Sequence, residues 1–87
     1  MILQVCSVFD TALQAFSRPF FSPSTAAAVR RFGDEVMRAA PDNPMHAHPE
    51  DYILYCLGTV DEERGFFTPP SHGSPEILIR AKDLLSA

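Results

Sequence analysis

The feature that most constrains the fold of this chain is a β-rich run that a polar turn reverses. Residues 52–60 are apolar, aromatic or β-branched almost throughout. The following segment, 61–65, is polar and ends on Gly65, where a left-handed backbone is often required. Residues 66–68 then return as a second strand, which two consecutive prolines stop. This pattern predicts a β-hairpin.

A strand and a helix precede the hairpin. Residues 2–9 carry apolar side chains on both sides of an extended chain, which predicts a strand covered over most of both faces. Ser24 is a predicted N-cap, and apolar residues recur after it at helical spacing, as at Phe32 and Val36. Gly33 within this helix predicts a close approach by another part of the chain.

The remaining segments are less regular. Pro19 and Pro23 exclude a continuous helix, so residues 11–23 are predicted to form a structured loop anchored by Phe20 and Phe21. Residues 42–51 are expected to be a connection in which 48–51 form a turn or a single helical turn, since proline suits a first helical position. Residues 76–85 suit a closing strand or a short helix, and we favour a short strand followed by a turn.

These elements predict an α+β fold. The expected order is β-α-β-β plus a short C-terminal element, giving a small antiparallel or mixed sheet with one main helix packed on one face. Residues 1–87 are expected to form a single domain, which lies near the lower size limit for chains that fold alone. A partner chain could therefore contribute to its stability.

Composition excludes several classes of protein. With 46% hydrophobic residues the chain is too apolar to be disordered. No apolar run approaches the ~20 residues of a membrane span, and the N-terminal segment lacks the basic flank of a signal peptide, so no membrane association is expected. Cys6 and Cys56 lack a C-x-x-C spacing and are predicted to be reduced core thiols in a cytoplasm.

Charge is unevenly distributed along the chain. The net charge of −4 argues against strong non-specific binding of nucleic acid. However, residues 18–38 carry four arginines against two carboxylates, which could form a local basic surface. Stacking of bases on Tyr52, Tyr55, Phe66 and Phe67 would in addition require one uncovered sheet face. The candidate nucleic-acid-binding residues are Arg18, Arg30, Arg31 and Arg38.

No catalytic or metal-binding pattern is present in the sequence. His46 and His48 precede Glu50 and Asp51, but no second ligand pair follows, and Pro49 explains the local turn without a metal. The chain has neither a G-x-S-x-G nucleophile elbow nor a glycine-rich phosphate loop. We therefore expect a protein that is not an enzyme and has no metal site and no cofactor.

Several blocks along the chain carry a family resemblance. They include residues 8–10 with 15–16 and 19–21, residues 28–32 with 34–36, residues 42–44, residues 54–55 with 65 and 67, and residue 75 with 82–84. The most specific block is His-Pro-Glu-Asp-Tyr at 48–52, joined to Leu-Gly-Thr-Val-Asp at 57–61. On these blocks the chain resembles the small non-structural proteins of gokushovirus-type microviruses, which are single-stranded DNA bacteriophages. The motif residues, interpreted as determinants of the fold, are Pro19, Phe20, Phe21, Phe32, His48, Pro49, Glu50, Asp51, Gly58 and Gly65.

The resemblance implies a role in the infected cell. It suggests a protein of the host bacterial cytoplasm, absent from the mature virion, that acts in phage DNA replication and in the switch to single-stranded genome synthesis and packaging. Contacts with viral or host replication proteins would serve this role. The alternatives are weak binding of single-stranded DNA through the arginines and a helper role in assembly. A homodimer is also expected, because an exposed sheet edge tends to be paired or protected.

Overall fold

The computed structural model of the protein describes residues 1–85. An antiparallel sheet of six strands and a set of short helices make up this part of the chain. The elements are β1 Ile2–Asp10, β2 Ala15–Phe16, β3 Phe20–Ser22, α1 Thr25–Met37, α2 Pro44–Ala47, a 3-10 helix Pro49–Asp51, β4 Tyr52–Asp61, β5 Phe66–Thr68, β6 Glu76–Arg80 and α3 Ala81–Leu85.

Two long strands form the centre of the sheet. β1 and β4 pair antiparallel along their whole length, from Ile2 opposite Asp61 to Asp10 opposite Tyr52. The outer edge of β1 is shared by β2 and β3, and the outer edge of β4 is shared by β5 and β6. The predicted α+β class and the β4–β5 hairpin are confirmed, and of the two predicted sheet types the antiparallel one is present.

The prediction of a loop over residues 11–23 is wrong in part. Two short strands form within it, because Phe9 pairs with Phe16 and Cys6 pairs with Phe20 across the edge of β1. Pro19 and Pro23 flank β3 without interrupting it, as prolines at a sheet edge can. Phe20 is half-buried, whereas Phe21 is 52% exposed and so does not anchor the segment.

The helical predictions are partly confirmed. Ser24 caps α1, since its Oγ accepts a hydrogen bond from the Ala27 amide at 3.0 Å. The turn or single helical turn predicted at 48–51 is present as the 3-10 helix, and α2 precedes it in the same connection. The predicted C-terminal strand is present as β6, but the helix α3 follows it in place of the predicted turn. Leu84 of α3 does pack beside Gly33, as predicted. A Cβ at Gly33 would lie 3.7 Å from the Leu84 side chain, an ordinary contact distance, so this approach does not require glycine.

The main core lies between α1 and one face of the sheet. Cys6 and Leu54, from the two central strands, are fully buried against Phe32 and Val36 of α1. Ala81 of α3 closes the same cluster. This confirms a main helix packed on one face, with α3 beside it. Both cysteines are buried and unpaired.

Gly58 marks an irregularity in β4. The register between β1 and β4 shifts at Val5 and Cys6, so that β4 carries one extra residue, Leu57. Gly58 has φ +134°, and a Cβ there would lie 2.1 Å from the Thr68 carbonyl oxygen. This position therefore requires glycine on both conformational and steric grounds.

Candidate functional site

Helix α1 gathers three of the four candidate arginines. Arg30, Arg31 and Arg38 line one shallow groove on its exposed side. Arg38 is neutralised there, because its Nη2 lies 2.8 Å from Glu35 Oε1 and its Nη1 lies 3.6 Å from Asp42 Oδ1. The hydrogen bond from Arg38 lowers the pKa of the Glu35 carboxyl below its usual value.

Of the other three arginines, Arg30 and Arg31 line the groove and Arg18 does not. The Arg31 guanidinium lies 4.7 Å from the ring centroid of Phe20, a cation–π contact. Within residues 1–85, neither Arg30 nor Arg31 has a carboxylate oxygen within 4.0 Å. Arg18 lies between β2 and β3, is exposed and does not line the groove. The basic surface on α1 is therefore smaller than the sequence suggested.

An aromatic cluster occupies the sheet face opposite the main core. The ring centroids of Phe9 and Phe16 are 4.8 Å apart, and Tyr55 lies 6.1 Å from Phe9 and 5.3 Å from Phe16. These rings and Pro75 line an open cleft of about 310 Å³. No helical residue of the described chain lines this cleft, which we call the aromatic cleft.

Exposed apolar side chains continue along the same face. Residues directly opposite each other in neighbouring strands share a face. Ile77, opposite Tyr55, is 45% exposed, and Phe67, opposite Val60, is 67% exposed. Exposed apolar patches of this kind mark interaction sites in soluble proteins.

Sequence reasoning missed this cluster. It grouped Tyr52 and Tyr55 with Phe66 and Phe67, but Tyr52 packs against the main core, whereas Tyr55 contacts the rings on the other face. Phe9 and Phe16 were not candidates. The signal that could have found them is their position on either side of the tight reversal at residues 11–14, which pairs them directly.

Two of the histidines contact oxygen atoms nearby, and both cysteines are buried. His46 Nδ1 lies 3.0 Å from the Val36 carbonyl oxygen, and His48 Nδ1 lies 3.8 Å from Glu50 Oε1. Within residues 1–85, no group of three or more metal-ligating side chains comes together. Burial, with a smaller contribution from Cys56, raises the pKa of the Cys6 thiol to about 11, which disfavours the nucleophilic thiolate.

The structure is that of a small α+β protein with a basic groove on α1 and an aromatic cleft on the opposite face of the sheet. Comparison with known proteins then identifies its family: the model of the phage ORF5 protein family matches residues 3–84, and the chain belongs to that family. Protein ORF5 of Chlamydia phage 1 is 31% identical over 74 residues, covering 83% of this chain and 77% of the relative.

The family match confirms the resemblance predicted from the sequence blocks, and the protein is a viral protein of the microvirus type. No solved structure matches the chain. Among the described helices, none is long and apolar enough to cross a membrane.

Proposed function

We propose that this phage ORF5-family protein acts in phage DNA replication by binding a viral or host replication protein, without catalysing a reaction itself. In this role it would act in the host bacterial cytoplasm, outside the mature virion, and favour the switch to single-stranded genome synthesis and packaging. The observation that carries the proposal is the aromatic cleft. It exposes apolar rings that the main core does not use.

A protein partner suits this cleft better than DNA does. Aromatic side chains are enriched at protein interfaces and dominate their binding energy. Binding of single strands combines stacking on aromatic rings with basic side chains along the same groove. Here α1, which carries Arg30, Arg31 and Arg38, packs on the other side of the sheet from Phe9 and Phe16.

The experiment compares two phenylalanine variants in infected cells. Phe16→Ser alters the aromatic cleft, and Phe66→Ser is the matched control, since Phe66 is 64% exposed and does not line the cleft. The measurement is the ratio of single-stranded genome to double-stranded replicative form. We expect Phe16→Ser to lower this ratio and Phe66→Ser to leave it unchanged. A wild-type ratio with a folded Phe16→Ser protein would exclude the cleft as the acting surface.

A second arm identifies the partner. The purified protein is titrated against the purified viral replication initiator and against host replication proteins, and Phe16→Ser should weaken the complex that forms. Co-purification with capsid intermediates instead would favour the assembly role. Sedimentation across a concentration series tests the expected homodimer, and a mass equal to one chain throughout would rule it out.

The second candidate function is weak binding of single-stranded DNA by α1. The observation in its favour is that Arg30 and Arg31 have no carboxylate partner among the described residues. Fluorescence anisotropy with labelled single-stranded DNA at low and high salt tests it. A salt-dependent affinity lost in Arg30→Glu and Arg31→Glu, but kept in Arg64→Glu in the β4–β5 turn, would support it. No binding at micromolar protein in low salt would exclude it.

A further inference from the structure

A second concave surface lies at the sheet edge on the side of α1. It is a groove of about 320 Å³ between the reversal that follows β1 and the connection from α1 to α2. Its walls are mainly apolar and include Val8, Leu13 and Met45. Leu13 is 75% exposed at the rim. The volume lies at the lower end of that of ligand pockets, enough to receive one or two side chains rather than a large molecule.

The charged side chains that line this groove are all acidic. Asp10, Glu35 and Asp42 line it, and no lysine, arginine or histidine is among its lining residues. Arg38 already hydrogen-bonds both carboxylate oxygens of Glu35, and its contact with Asp42 is longer, at 3.6 Å. Asp42 is 84% exposed and places its negative charge at the rim. Asp10 is half-buried, and among the described residues no cation lies within 4.0 Å of its carboxylate.

Hydrogen bonds hold both walls in place without a ligand. Asn43 is 2% exposed; its amide donates to the carbonyl oxygens of Glu35 and Arg38 at 2.7 and 2.8 Å, and its Oδ1 accepts from the Met45 amide. On the other wall, Asp10 Oδ1 accepts from the amides of Ala12 and Leu13. A groove formed in advance in this way lowers the ordering cost of binding.

We propose that this groove binds a segment of a partner protein in which an apolar side chain stands next to a lysine or arginine. The apolar side chain would fill the space beside Val8 and Met45, and the cation would lie against Asp10 and Asp42. Nucleic acid does not suit the groove, because its phosphates would face carboxylates and meet no basic lining residue. The site is additional to the aromatic cleft, although Phe16 borders both.

The test selects ligands for the whole chain from a displayed library of random short peptides. Enriched peptides are then titrated against the wild type, Asp42→Lys and Leu13→Ser. Glu62→Lys is the matched control, because it makes the same charge change in the exposed β4–β5 turn. We expect enriched peptides to combine apolar and basic residues and to bind Asp42→Lys about fivefold more weakly, with Glu62→Lys unchanged. Leu13→Ser should also weaken binding, and amide shifts in nuclear magnetic resonance spectra should map to the groove.

Several results would overturn this site. They are the absence of any enriched peptide, enrichment of acidic or purely apolar peptides, and equal losses in Asp42→Lys and Glu62→Lys, which would indicate non-specific charge attraction. Shifts confined to Tyr55 and Phe9 would assign the peptides to the aromatic cleft instead. Neither Asp42 nor Leu13 lines that cleft, so failure here does not count against it. Because Phe16 borders both sites, a lowered genome ratio in Phe16→Ser is assigned to the aromatic cleft only if Leu13→Ser and Asp42→Lys keep the wild-type ratio.

Discussion

The two faces of the sheet are built from the same two central strands but differ in what covers them. One face packs against α1, and the other carries the aromatic cleft. Leu54 and Tyr55 are neighbours in β4, yet Leu54 is fully buried under α1 while Tyr55 lines the aromatic cleft. Successive side chains of a strand alternate between faces, so an apolar strand supplies both. The sequence predicted that β1 would be covered on most of both sides, and this is confirmed, since Val5 and Cys6 lie on opposite faces and are both buried. The helices of the core pack on one side, and the other side keeps exposed rings.

The largest expected effect is on stability, and it compares a substitution on the buried face with one on the open face. Leu54→Ala should lower the free energy of unfolding by about 2–5 kcal/mol, because it leaves a cavity in the core between β4 and α1. Phe16→Ala, on the open face, removes a side chain that is already 42% exposed and should cost less than half as much. Urea unfolding of both variants measures the two values. Equal losses would show that the aromatic cleft belongs to the core.

A second prediction concerns the bulge that sets which side chains reach which face. Gly58→Ala should destabilise the protein by about 2 kcal/mol or more, since it combines φ +134° with a clash against the Thr68 carbonyl. Gly65→Ala, at φ +71° with open space around it, should cost about 1 kcal/mol. Thermal unfolding ranks the two. If Gly58→Ala were the milder change, β4 would not depend on this close approach to β5.

A smaller effect is expected at the start of the helix that covers the core. Ser24→Ala should cost about 1 kcal/mol, because the Ala27 amide loses its hydrogen-bond acceptor. Ser71→Ala, in the exposed loop before β6, serves as the control and should leave the unfolding midpoint unchanged. A loss that is the same for both serines would contradict the capping role.

The last prediction is a dependence of stability on alkaline pH. Since the pKa of Cys6 is raised from 9.0 to about 11 in the folded protein, its contribution is complete below pH 9 and is lost as the pH rises toward 11. The pKa of Tyr52 is also raised, mainly by burial, so it acts in the same direction. Urea midpoints across this range should therefore fall, and fall less in Cys6→Ala. An identical slope in the variant would exclude the thiol as a source.

The sequence by itself determined the features that depend on neighbouring residues. The turn at 61–65 with its glycine predicted the hairpin, and Ser24 before an apolar stripe predicted the start of α1, because caps and turns act over a few residues. The sequence blocks also predicted the family. The candidate arginines were identified as exposed residues, and three of them do share one groove.

The tertiary structure alone decided the binding surfaces. Phe9, Phe16 and Tyr55 come from three strands, and their meeting depends on the register of β1 with both β2 and β4. The acidic groove depends on the path of the chain after α1, which the hydrogen bonds of Asn43 hold in place. The ion pair of Arg38 with Glu35, three residues away in the sequence, is local by contrast. Strand register and loop placement result from packing between residues distant in sequence, and no local pattern in this chain encodes them.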